Sequence, residues 1–406
     1  TNYFDLKRLL PEVLGNNLPE FIQYMGNFSV KGETALKAQN LFADVDFNSP
    51  VGQGQIEVMF KNLNLSDEVK YDGKLDLQNF NLAKVLQSKR LGLASLKVNI
   101  NGKGFTEKAL NTIIDADIQA FDFNNYTYNE IAVQGNLKFP IFNGQLKSED
   151  ENFLFDFNGS VDASQNQNLY KFQSDIKYAD LYALNFIKKD TLSIFKGNLD
   201  MNLKANSLDD AVGELNFNDF NYKNSFGEYN FKDFKLQSSM SAGLHQFNVN
   251  SPDVVNGRIY GDFQPSQLPE FVDYSLRNLY FKDLQQSNFK DRNVNFEFQI
   301  NNKVVEAFFP KVSIAPNTFL RGNISSNEDE MKIRFISPEI RFQNNILKDV
   351  EVQLDKQNPF FDTYVKIANI QNAIYPIQNL SLINVKLNDT LFFRTEFEGG
   401  LKNDDN

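Results

Sequence analysis

His245 is the only histidine in the chain and cysteine is absent, so the side chains that most often ligate zinc or serve as nucleophile and base are almost missing. His245 lies in the string GLHQFNV, where apolar residues alternate around it. With no nucleophile-elbow signature in the chain, it reads as a strand residue facing a neighbour or solvent. Asp44, Asp46 and Asn48 have the opening spacing of a calcium loop, but Ser49 stands where the sharp turn needs Gly and Gln55 where a bidentate Glu must close the site. They read instead as one polar strand face, because alternate strand residues share a side. Gly52-Gln53-Gly54 and Gly102-Lys103-Gly104 do not continue into either phosphate-binding glycine pattern and read as hairpin turns. The acidic runs Glu149-Asp150-Glu151 and Glu328-Asp329-Glu330 adjoin turn residues, where solvated carboxylates are expected. No catalytic residue, metal site or cofactor is expected, and the chain reads as a non-enzyme.

The elements around these residues are strands. Leu96, Val98 and Ile100 alternate with Lys97 and Asn99; Leu199, Met201 and Leu203 with Asn198, Asp200 and Asn202; Val294, Phe296, Phe298 and Ile300 with Asn295, Glu297 and Gln299. Period-two alternation predicts strands with one apolar and one wet face. Asn101-Gly102, Asn143-Gly144, Asn158-Gly159 and Asn256-Gly257 are read as hairpin turns. A second unit recurs at Gly73, Gly135, Gly197 and Gly213, each followed at +2 and +4 by apolar residues; its Gly is expected to supply a turn or bulge as a strand begins. Short helices are predicted over 6–14, 18–25, 82–86, 181–186 and 268–274, as caps or crossovers.

The apolar residues are weighted toward rings, with 40 Phe and 15 Tyr but no Trp. A net charge of −11 argues against nucleic acid, whose phosphates need clustered cations. No uncharged apolar run approaches the ~20 residues of a spanning helix. The start at Thr1 without Met is expected of a processed piece of a longer chain.

Three stretches echo one another: YTYNEIAV from Tyr126, EYNFKDFKL from Glu228 and NNILKDVEV from Asn344, offset by 103 and then 116 residues. A loose period implies a repeat array, with one continuous body over 1–406 in approximate units 1–29 (a short helical opening), 30–125, 126–228, 229–343 and 344–406. The expected fold is all-β: an elongated antiparallel repeating β-groove, a taco-like curled sheet with a few short helices capping or crossing over. A closed sandwich is the competing arrangement of the same apolar rows.

The stretches LPEFIQYMGNFSVKGETALKAQNLFADVDFNSPVGQGQIEV, VKYDGKLDLQNFNLAKVLQSKRLGLASLKVNINGKGF and YTYNEIAVQGNLKFPIFNGQLKSEDENFLFDFNGSVD resemble the TamB family of translocation and assembly module subunits, relatives of AsmA-like envelope proteins. The resemblance covers at least Leu18 to Phe263. It implies a repeating β-groove in the periplasm, from a parent anchored in the inner membrane and reaching the outer one. It also implies phospholipid as cargo, and a TamA-type outer-membrane β-barrel as partner through parts of the parent chain not identified here. The family's N-terminal anchor and C-terminal partner-binding domain are not recognisable in this chain.

On that reading the lipid-facing residues are Leu75, Leu77, Leu96, Val98, Ile100, Leu137, Phe139, Leu199, Met201, Leu203, Leu215, Phe217, Val294, Phe296, Phe298 and Ile300. The alternative function is a scaffold or chaperone that pairs nascent outer-membrane β-strands along exposed sheet edges.

Overall fold

The computed structural model describes residues 1–188, 190–277, 289, 292–326, 330–372, 375–387 and 390–399. Among the described residues 24 strands form one antiparallel sheet, as the alternation predicts, and this sheet does not close into a barrel. The chain divides into two compact units, 1–201 and 202–406.

The first unit opens with α1 (Tyr3–Leu9), α2 (Glu12–Asn16) and a 3₁₀ turn over Glu20–Met25. Pro11, which cannot continue a helix, splits the single helix expected over 6–14. Then come β1 (Ser29–Lys37), β2 (Asn40–Ser49), β3 (Gly52–Lys61), β4 (Lys70–Asn81), the single turn α3 (Leu82–Val85), β5 (Leu91–Lys103), β6 (Asn111–Phe123), β7 (Tyr126–Lys138), β8 (Ile141–Asp150), β9 (Phe153–Asp162) and β10 (Leu169–Asp180). From β1 to β10 each strand pairs with the next. The helix expected over 181–186 is a run of turns instead. The boundary between the units falls within β11 (Ser193–Lys204).

The second unit continues with β12 (Val212–Asn224), β13 (Gly227–Phe231), β14 (Phe234–Ser241), β15 (Leu244–Asn250), β16 (Val255–Asp262), α4 (Leu268–Arg277), β17 (Asn293–Ile300), α5 (Asn302–Phe308), β18 (Val312–Ile314), β19 (Thr318–Ser325), β20 (Lys332–Phe342), β21 (Asn345–Asp355), β22 (Thr363–Gln371), β23 (Ile377–Leu387) and β24 (Thr390–Gly399). Sequence reasoning found α4 but missed α5, which is short and follows a strand directly.

None of the four Asn-Gly pairs makes a turn: each lies inside a strand, in β5, β8, β9 and β16. The hairpins turn elsewhere, at Asn124-Asn125 and Ala242-Gly243 among others, where both central residues take the positive φ that a two-residue hairpin needs. The strand glycines have a packing role. Gly135, Gly144 and Gly159 stand opposite one another across β7, β8 and β9. A Cβ at Gly135 would come 2.7 Å from the ring of Phe142, so only Gly leaves room for that ring.

Buried cores occur where helices or loops cover the apolar face. In the first unit one cluster joins Met25 and Phe28 to Phe47, Leu77, Phe80 and Val85, and another joins Leu14, Leu41, Leu63, Val69 and Tyr71. In the second unit α4 supplies Phe271, which packs with Phe263, Val294, Ile324 and Met331.

Candidate functional site

The register lines up apolar residues in continuous rows that run on from those cores. In the first unit Leu75, Val98, Ala116, Val133, Leu146 and Phe157 stand opposite one another from β4 to β9. A parallel row runs Leu77, Leu96, Ile118 and Ile131, ending on Ser148 and Phe155. In the second unit Leu215, Leu236, Val249, Gly257, Phe298, Leu320, Phe335 and Val352 form a comparable row. Apart from Ala116 and Leu77, the large apolar members are half-buried, not closed off as core residues are. The opposite face carries Lys74 facing Glu57 at 3.7 Å, Lys97 facing Asp76 at 3.4 Å and the amide of Gln134 donating to Asp115 at 3.3 Å. Such exposed pairs add little stability but keep that face wet.

The expected lining residues divide into groups. Val98, Leu137, Leu215, Phe217, Phe296, Phe298 and Ile300 are half-buried in these strands, as are Leu199, Met201 and Leu203 along β11. Leu75 and Leu96 lean on the first core and Ile100 on the second. Two residues expected on an open face are instead sealed: Leu77, 7% exposed beside Phe80 and Val85, and Val294, 1% exposed in the core that α4 completes. Phe139 is not in a row at all. It stands with Pro140 in the two-residue turn between β7 and β8, because the strand ends at Lys138.

The sequence echo has a structural cause. In β7, Tyr126 and Tyr128 and then Ile131 and Val133 are the less exposed residues, so the apolar positions change parity in mid-strand. Glu130, with φ +54°, makes the change, and Asp349, with φ +51°, stands at the equivalent point of β21. In the middle copy the strand breaks there, between β13 and β14. Irregularities of this kind bend a sheet and leave backbone groups for side chains to satisfy.

Asp150 does so in the first copy: its carboxylate accepts from the N–H of Asn129 at 2.8 Å, the N–H of Asn152 at 2.9 Å and the hydroxyl of Tyr126 at 2.6 Å. The expectation of a solvated carboxylate fails here, since Asp150 is 1% exposed; Glu328 and Asp329 of the other acidic run lie outside the described residues. Burial, and then the bond to Asp150, raise the Tyr126 phenol above its ordinary pKa. The same 103-residue offset leads from Asn129 to Lys232 and from Asp150 to Asp253, and Lys232 N–H donates to Asp253 at 2.9 Å. Burial pushes the Asp253 carboxyl up, but the Lys232 N–H and the Lys303 ammonium at 3.1 Å outweigh it and hold the group below the usual range. In the third copy the paired residues are Lys348 and Asn369, whose buried amide oxygen has no hydrogen-bond partner.

The remaining candidates do not converge on chemistry. His245 is buried in β15 between Phe247 and Phe263, with ring centroids 6.3 and 5.6 Å away. Asp44, Asp46 and Asn48 alternate along β2, and Gln55 donates to Asp44 at 3.1 Å. Among the described residues no three His, Cys, Asp or Glu side chains could hold a metal ion, and no helix is long and apolar enough to cross a membrane. The arrangement that stands out is an antiparallel sheet with one charged face and one half-open apolar face. No protein-family model, curated protein or solved structure matches the chain.

Proposed function

We propose that this chain shields the acyl chains of phospholipids along its apolar face and lets them slide, as part of a TamB-like conduit between the inner and outer membranes of a double-membraned cell. The observation that carries the reading is the set of half-buried aliphatic and aromatic rows opposite a charged face. Each acyl CH₂ removed from water contributes about 0.8 kcal/mol, so shielding two chains offsets a transfer barrier of well over ~10 kcal/mol without catalysis. Rows of near-equivalent Leu, Ile, Val and Phe also avoid a single deep site that would trap the cargo. The headgroup would remain in water.

Photo-crosslinking side chains test this. Placed at Val133 or Leu146, they should capture phospholipid; placed at the neighbouring Gln134 or Lys147, they should not. Equal labelling of both faces, or capture from neither when lipid is present, would sink the proposal.

A further inference from the structure

We infer that the open edge of β1 is a self-association site, at which the β1 strand of a second copy pairs antiparallel about a two-fold axis through Gly32. This inference is independent of the lipid reading. Among the described residues β1 pairs only with β2, and all nine of its residues are exposed, Val30 at 42% and Leu36 at 61%. Such a row of free backbone groups is a template for another strand. The backbone N–H and carbonyl of Phe28 are both taken by Thr1, so the usable edge starts at Ser29.

Charge selects the occupant and its register. Glu33 stands directly across from Asp44 on β2, a like-charge pair with which no Lys or Arg among the described residues forms an ion pair, and Lys31 lies across from Asp46 without closing one. An axis through Gly32 places Lys31 of each copy opposite Glu33 of the other, twice, and brings a cation beside each Glu33–Asp44 pair. On the other face it sets Val30 against Thr34 twice. Gly32 meets Gly32 at the centre, where no side chain intervenes. A shift of the axis to Glu33 would instead oppose two carboxylates.

Sedimentation velocity of the full chain over a concentration series is the first test. A reversible dimer is expected. Lys31→Glu or Glu33→Lys alone should weaken it about tenfold by opposing like charges at both symmetric positions. The double exchange Lys31→Glu/Glu33→Lys should restore it. These side chains are exposed, so the fold is expected to survive, with circular dichroism as the check. The chain has no native cysteine, so the double variant Val30→Cys/Thr34→Cys gives an independent readout as a covalent dimer on oxidation. A monomer at every concentration, a dimer indifferent to single reversals, a double exchange that fails to rescue, or equal cross-linking by Val30→Cys alone would each overturn the inference.

Discussion

A carboxylate placed at Val98 should cost far less folding stability than one placed at Leu77, although both point to the apolar side of the same sheet. Val98 is half-buried between Leu75 and Ala116 in the row. Full burial of a valine is worth about 1.5–3 kcal/mol, so losing half of it costs about 1 kcal/mol, and an aspartate there stays hydrated. Leu77 is 7% exposed and packed with Phe47, Phe80 and Val85. Truncating such a residue costs about 2–5 kcal/mol, and an unpaired buried charge adds about 3–5 kcal/mol, for a total of at least ~5 kcal/mol. The gap of about 4 kcal/mol corresponds to roughly a thousandfold in the folding constant. Denaturant titration of Val98→Asp and Leu77→Asp in the full chain, followed by circular dichroism, reads it directly. In the same preparations Val98→Asp should remain folded yet bind a fluorescent phospholipid more weakly than wild type. Equal destabilisation by both substitutions would mean that the Val98 row is closed, and would refute the argument from openness.

Other expectations concern the parity-change clamps. Asp150→Ala takes away the acceptor of the Asn129 N–H and of the Tyr126 hydroxyl, both part-buried bonds, and should cost about 1–3 kcal/mol in all; a denaturation midpoint close to wild type would remove the clamp assignment. The Asp253 carboxyl is held below its ordinary pKa, so its contribution is present above the unfolded value of about 4 and is lost as pH falls through the folded value. Stability measured from pH 6 down into the acid range should therefore fall less steeply in Asp253→Asn than in wild type, and parallel curves would contradict the assignment.

The three echoing stretches show what local pattern carries and where it stops. Tyr126, Tyr128, Ile131 and Val133 were legible as related to Tyr229, Phe231, Phe234 and Leu236, because apolar residues that share a face leave a spacing in the chain. The reason for the echo was not legible. It is the change of parity at Glu130 and Asp349, and the group that supports it in the first copy, Asp150, lies some twenty residues from Asn129 and is brought there only by the pairing of β7 with β8. The Asn-Gly pairs failed as turn signals for a related reason: Asn143-Gly144 has the local chemistry of a hairpin, but Gly144 is held between Gly135 and Gly159 in neighbouring strands, with the Phe142 ring nearby. Phe139 shares the parity of Leu137, and nothing in the alternation marks that β7 has already ended.

Strand class, the two chemically different faces and the absence of cysteine chemistry follow from the order of residues alone, because side-chain direction along an extended chain repeats every two residues. Which apolar residues are sealed and which stay half-open was decided by tertiary structure. Leu77 and Val98 have the same alternation, and so do Val294 and Phe298. Only the placing of Met25, Phe28 and Val85 over Leu77, and of α4 over the core containing Val294, separates them. Burial is a property of what lies across from a side chain, and that is set by contacts distant in sequence.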